Sequence, residues 1–91
     1  MRLEEQIQVI DSIISEVCDI AEVSIDDIRS SFRSNILVAA RVLIVKKAVK
    51  QKIVLRLIQD KINRDRCSVL HYLKGYKKTY EYEMLKYKLE K

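Results

Sequence analysis

Between Leu3 and Ala21, apolar residues recur at spacings of three and four (Leu3, Ile7, Ile10, Ile14, Val17, Ala21), while Glu4, Gln8, Asp11, Ser15, Asp19 and Glu22 take the other side. That period predicts an amphipathic helix with one face turned to a core. Ser24 with Asp27 three residues on has the form of a capping box, and Ile25 and Ile28 share a face, which predicts a short helix around 25–30. From Ser30 to Asn35 the apolar period is lost. Side chains there bond their own backbone, so the segment predicts a loop with Arg29 and Arg33, and Ser34 or Asn35 as the next N-cap. Ile36, Leu37, Ala40, Leu43, Ile44 and Ala48 then draw a stripe with Arg41 and Lys46 off it. A helix of about 14 residues follows from that stripe, broad enough to be the central one.

Around Val49 to Lys52 the hydrophobic phase slips, and Ile53, Val54, Leu57, Ile58 and Lys61 or Ile62 restart it on a short helix, although neither Gly nor Pro marks the break. Asn63, Arg64 and Asp65 interrupt the pattern again: Asn tolerates the left-handed conformation, and Asp is a good N-cap for a helix that turns Val69, Leu70 and Leu73 inward. Two short helices, a tight turn and an Asp-capped second helix make a helix-turn-helix candidate over about 53–75. Gly75, just past Lys74, is placed to end that helix as a left-handed cap. The tail, about 76–91, carries Tyr76, Tyr80, Tyr82, Met84, Leu85, Tyr87 and Leu89 among lysines and predicts a final helix from about Thr79. Tyrosines at helical spacing are expected to pack on the body rather than stack on single strands.

Composition agrees. The chain has 91 residues with one Gly, no Pro and 48% apolar content, enough for one small core and little room for a roofed substrate cavity. Sandwiches, barrels and phosphate-cradling loops need residues for tight turns, so the fold expected is all-α: a bundle of about five to six helices, in one domain spanning 1–91. The start, MRLEEQ, turns acidic at once, and the longest apolar stretch, Ile36 to Val45, is cut by Arg41. Both predict a cytoplasmic protein without a membrane partner. Cys18 and Cys67 are far apart and His71 is the only histidine, so neither a disulfide framework nor a metal site is expected, and Cys18 reads as a small core residue. With no nucleophile and base at a workable spacing, an enzyme is not expected. With nothing like GxxxxGK[ST], neither is a bound nucleotide or other cofactor.

Charge changes the picture more. Residues 1–28 hold eight acids and one base, and residues 29–91 hold the remaining 17 bases and five acids. A basic two-thirds of this kind suits a polyanion, and the expected partner is double-stranded DNA. In a helix-turn-helix the start of the second helix enters the major groove, and that stretch here is NRDRCSVLHYLK, Asn63 to Lys74. Arg64 and Arg66 can bond guanine or clamp phosphates, and Asp65 can accept from a cytosine amino group. Cys67 and Ser68 are small enough to approach a thymine methyl or a phosphate.

Arg64, Asp65, Ser68, Val69, Leu70 and His71 match the hallmark, approximately G-R-D-H-[TS]-T-V-L-H, of the C-terminal DNA-binding domain of the bacterial replication initiator DnaA, a Trp-repressor-like helix-turn-helix group that this chain resembles over roughly 5–75. Val23 to Ile28 is similar to the family's V-x-x-x-D-[IL] segment, and Ala40 with Arg41 to its helix opening. The resemblance implies base reading by Asp65, Arg66 and Cys67 and phosphate contacts from Ser68, His71 and Arg41. Arg33 is the candidate for a minor-groove arginine, and Ser34, Arg64 and Lys74 complete the expected phosphate or loop contacts. The chain departs from the family at Arg66, where the family has His, at Cys67, where it has Thr or Ser, and at Asn63, which stands in for a glycine. The role implied is replication initiation or control, or transcriptional regulation. The alternative is a helical interaction module whose acidic first helix docks a protein partner.

Overall fold

The computed structural model describes residues 2–90, and those residues form six helices and no strand: α1 (Leu3–Ala21), α2 (Ile25–Arg29), α3 (Asn35–Lys50), α4 (Leu55–Ile62), α5 (Arg66–Lys74) and α6 (Tyr80–Glu90). Local chemistry sets most of these boundaries. Glu4 and Glu5 sit in the first turn of α1, where carboxylates oppose the positive end of the helix dipole. Ser24 and Asp27 form the reciprocal capping box of α2, at 3.0 and 3.2 Å. The Ser34 hydroxyl accepts from the Leu37 amide at the start of α3. Thr79 caps α6, its hydroxyl accepting from the Tyr82 amide. Between α3 and α4, where the sequence offers no glycine, Lys52 takes the turn itself at φ 64°, and the Val54 amide is held by the Gln6 side chain of α1 at 3.0 Å.

One core joins all six helices. α3 lies at its centre and touches each of the other five. It buries Leu37, Ala39, Ala40, Val42, Leu43, Ile44, Val45 and Ala48, so it is apolar nearly all round rather than along one stripe. Ile10, Ile13, Ile14, Val17 and Cys18 of α1 close one side. Ile28 of α2, Ile58 and Ile62 of α4, and Val69 and Tyr72 of α5 close another, and Tyr82 and Leu85 of α6 cover the rest. Burial pushes the Cys18 thiol above its ordinary range, with Asp19 and Asp27 acting in the same direction. Among the tail tyrosines, Tyr82 is buried and meets Tyr76 edge-on at 5.6 Å with Lys46 over its ring, whereas Tyr80 and Tyr87 are exposed.

Three sequence expectations are corrected. Arg41, expected on the surface, is fully buried. Leu70, expected in the core, is only half-buried and is not among the residues packed on the core, and Tyr72 takes the inward position. The inward line of α5 is Val69, Tyr72 and Leu73, continued by Tyr76 beyond its end, which turns Leu70 toward the outer face. Gly75 ends α5 with φ −108°, not in the left-handed region. Its missing side chain makes space instead: a Cβ there would lie 2.8 Å from Nδ1 of His71. The orientation of α5 has a measurable consequence. Tyr72→Ala should cost roughly 3–5 kcal/mol of unfolding free energy, and Leu70→Ala under about 1 kcal/mol. Urea denaturation of both variants checks this, and the reverse order would mean that α5 is rotated on its axis.

Candidate nucleic-acid interface

The α4–α5 pair is built on a three-residue turn. Asn63 ends α4 in the left-handed conformation, φ 55°, with the Arg64 amide bonded to the Gln59 carbonyl at 3.0 Å. Asp65 then starts α5 in extended backbone, its carboxylate accepting from the Ser68 amide at 2.8 Å. That bond, with a smaller contribution from Arg64, holds the Asp65 carboxyl below its usual range. A depressed folded-state value stabilises the protein above the unfolded value, near pH ~4, and the contribution fades as pH falls through the folded value. Asp65→Asn keeps an acceptor but cannot titrate. The gap between wild-type and Asp65→Asn melting temperatures should therefore be constant above about pH 5 and change below about pH 4. A gap that stays constant down to acid pH would show that the Asp65 carboxylate is not the titrating cap.

Beyond Asp65, the outward side of α5 carries Cys67, His71 and Lys74, all exposed and spaced by four and three residues, so they share one face. Arg66 is exposed in the first turn and Ser68 is half exposed beside it. The loop between α2 and α3 approaches this helix. Arg33, Val38, Arg64, Cys67, Ser68, His71 and Tyr72 line a single shallow cleft of about 340 Å³. Five of the ten residues expected from sequence to contact DNA thus meet at one place: Arg33, Arg64, Cys67, Ser68 and His71. Asp65 lies on an adjoining polar cleft of about 580 Å³, which Arg64 also lines together with Arg29, Arg56, Gln59, Asp60 and Asn63. Lys74 is at the far end of α5, and Ser34 is occupied in capping α3.

Arg41 is the residue that the sequence reading misplaced, and its real position explains the site. Its guanidinium lies beneath the loop and donates to four main-chain carbonyls: Ile28 at 2.9 Å, Phe32 at 2.6 Å, and Asp27 and Ser30 at 3.0 Å each. Two of those carbonyls belong to the end of α2, where the helix dipole favours a cation. Burial, followed by the like charge of Arg64, pulls Arg41 below the ordinary arginine range. It cannot touch a phosphate without unfolding the loop, so the phosphate contact expected of it is withdrawn.

A second set of bonds ties the same loop to the α4–α5 turn. Arg64 donates to the carbonyls of Asn63 and Ser30. Asn63 Nδ2 donates to the Arg29 carbonyl at 3.0 Å, and Arg29 in return donates to the Asp60 carbonyl at 2.9 Å and the Lys61 carbonyl at 3.3 Å at the end of α4. Loop and turn are therefore bonded to each other, and with the first turn of α5 they form one surface rich in guanidinium groups. Arg29 and Arg56, which the sequence reading did not select for contact, belong to that surface through the adjoining cleft. The available signal for Arg56 was its place in the first turn of α4, off the apolar stripe.

Two acids of α1 are engaged within the chain, and Asp11 shares a further cleft with Arg29. Asp11 pairs with Lys61 at 2.7 Å and Glu16 with Lys47 at 3.8 Å. Among the described residues no group of three or more His, Cys, Asp or Glu side chains could hold a metal ion, and no helix is long and apolar enough to cross a membrane. No protein-family model matches the chain, and no curated protein or solved structure matches it either.

Proposed function

We propose that this protein binds double-stranded DNA sequence-specifically, with α4 and α5 acting as a helix-turn-helix and α5 as its reading helix. The observation that carries the reading is the convergence of Arg33 with Arg64, Cys67, Ser68 and His71 on one cleft, beside an exposed Arg66 at the start of α5. A helix whose first turn presents short side chains and an arginine, flanked by a basic loop, supplies base contacts from the helix and backbone contacts from its border. In this reading Arg66 and Cys67, with Asp65, contact bases. Arg33, Arg64, Ser68, His71 and Lys74 contact phosphates or the neighbouring groove. The likeness of Arg64 to His71 to the DnaA hallmark supports the same assignment and suggests a role in replication control or transcription, at the nucleoid.

A second reading gives α1 a protein partner. Its support is the exposed acids Glu4, Glu5 and Asp19, which face solvent away from the α1–α3 contact. Amide chemical-shift mapping with a mixed-sequence duplex separates the two. The DNA reading expects perturbations at 30–34 and 64–74, weakening steeply as salt is raised. Shifts absent from those segments would remove it and leave the α1 reading.

A further inference from the structure

Phe32 is the only phenylalanine in the chain, and it is 67% exposed. Exposure alone says little, because scattered apolar residues are common on surfaces. Its backbone is the unusual part. The Phe32 amide donates to the Ser30 hydroxyl at 3.3 Å, and its carbonyl accepts from buried Arg41 at 2.6 Å. Neighbouring Ser30 is gripped by both Arg41 and Arg64. An arginine with no carboxylate bonded to it is thus taken out of water to fix a loop whose tip turns its largest apolar ring outward. Burying such a charge is costly, and the described residues leave most of the Phe32 surface uncovered. Arg33, the next residue, lines the cleft beneath α5. The loop that carries the ring is thus the one that brings Arg33 to the guanidinium-rich surface.

We propose that Phe32 is a wedge that inserts between stacked base pairs of bound DNA, with Arg33 holding the adjacent phosphates, so that the protein kinks the duplex as it reads it. This inference rests on the DNA-binding reading and deepens it. Apolar side chains inserted from the minor groove unstack one base step and kink the helix, while cations beside them hold the backbone. Insertion costs less when the loop that carries the ring is already held, because a mobile loop would lose its freedom on entry. The bonds from Arg41 and Arg64 hold the main chain at Ser30 and Phe32. Pyrimidine–purine steps unstack most easily, so the wedge should select a TA or CA/TG step beside the bases read by α5. It thereby adds specificity at a position without hydrogen-bonded readout.

The test uses the full chain and duplexes of about 30 base pairs that carry 2-aminopurine at a TA step, moved along the sequence in a series. Wild-type protein should brighten the probe at one position only, and energy transfer between dyes on the duplex ends should report a bend of about 20° or more. Phe32→Ala should abolish both signals and weaken binding about ten-fold, while Phe32→Leu keeps part of the bend. Because the ring is exposed, the alanine variant should melt at the wild-type temperature, which excludes unfolding as the cause. Tight binding with no brightening at any position, or equal bending by Phe32→Ala, overturns the wedge and leaves the DNA-binding reading standing. If wild type binds none of the duplexes, both fall together.

Discussion

Arg41→Met is expected to lower the free energy of unfolding by about 3–5 kcal/mol, the usual penalty for breaking a buried, hydrogen-bonded charge network from one side. A domain of this kind has only about 5–15 kcal/mol to lose. The size of the effect follows from what methionine leaves behind: the carbonyls of Ile28 and Phe32 lose the Arg41 donor, while those of Asp27 and Ser30 keep bonds from Ser30 and Arg64, and a carbonyl left unsatisfied away from water keeps its desolvation cost. Lysine should rescue little, because a point charge cannot reach four acceptors arranged around a planar fork. Urea melts of Arg41→Met and Arg41→Lys give the measurement. A loss under about 1 kcal/mol in both would show that water or another donor replaces the clamp. The same variants should loosen the loop that carries Phe32 and Arg33, so hydrogen exchange of residues 29–34 should accelerate more than that of α1.

The second large effect concerns binding. Arg66→Ala should cost about 1–3 kcal/mol in affinity for the preferred duplex and relax selection at one base position. Arg66 is exposed in the first turn of α5, so its removal leaves the core untouched and the melting temperature close to wild type. Anisotropy titrations on the preferred site and on its single-base variants separate the possible roles. A loss concentrated on one base assigns bidentate reading to Arg66. An equal loss on every sequence, with a shallower salt dependence, makes it a phosphate clamp instead.

Much of this architecture was legible along the chain because it is local. The period of α1, the Ser24–Asp27 box, the Ser34 cap and the Asp65 cap each reside within a few residues, and they place four helix starts correctly. The centrality of α3 was legible from its breadth of apolar residues. Arg41 was not legible, because a lone arginine within an apolar helix reads as the edge of its stripe. Its burial depends on four carbonyls delivered by α2 and the loop after it, which no helical period encodes. The exchange of Leu70 for Tyr72 has a similar origin. Both carry a large apolar surface, and only the packing on α3 decides which of these two residues, two positions apart, turns inward. Lys52 in the left-handed conformation left no composition signal, whereas Asn63 did. At the site, the residues of α5 could be chosen from sequence, but their meeting with Arg33 could not. It is made by Arg41, and by Arg64 and Asn63 from 34 residues further along the chain, bonding the loop after α2.

The surface that results is cationic, internally hydrogen-bonded and paired with an Asp-capped helix whose outer residues are small or hydrogen-bonding. Its acidic counterpart, α1, is partly neutralised by Lys47 and Lys61 of the same chain. That pairing sets the orientation expected on DNA. The duplex should approach over α5 and the loop after α2, with the remaining α1 carboxylates repelling phosphate from α1.

Selection from a randomised duplex library, followed by anisotropy on the recovered site and a scrambled one across a salt series, tests sequence-specific binding most directly. The predicted result is a defined motif bound at least about 10³-fold more tightly than scrambled DNA, with both affinities falling as salt rises. Recovery of no motif, with one common salt dependence for every duplex, would contradict it and reduce the basic surface to nonspecific attraction.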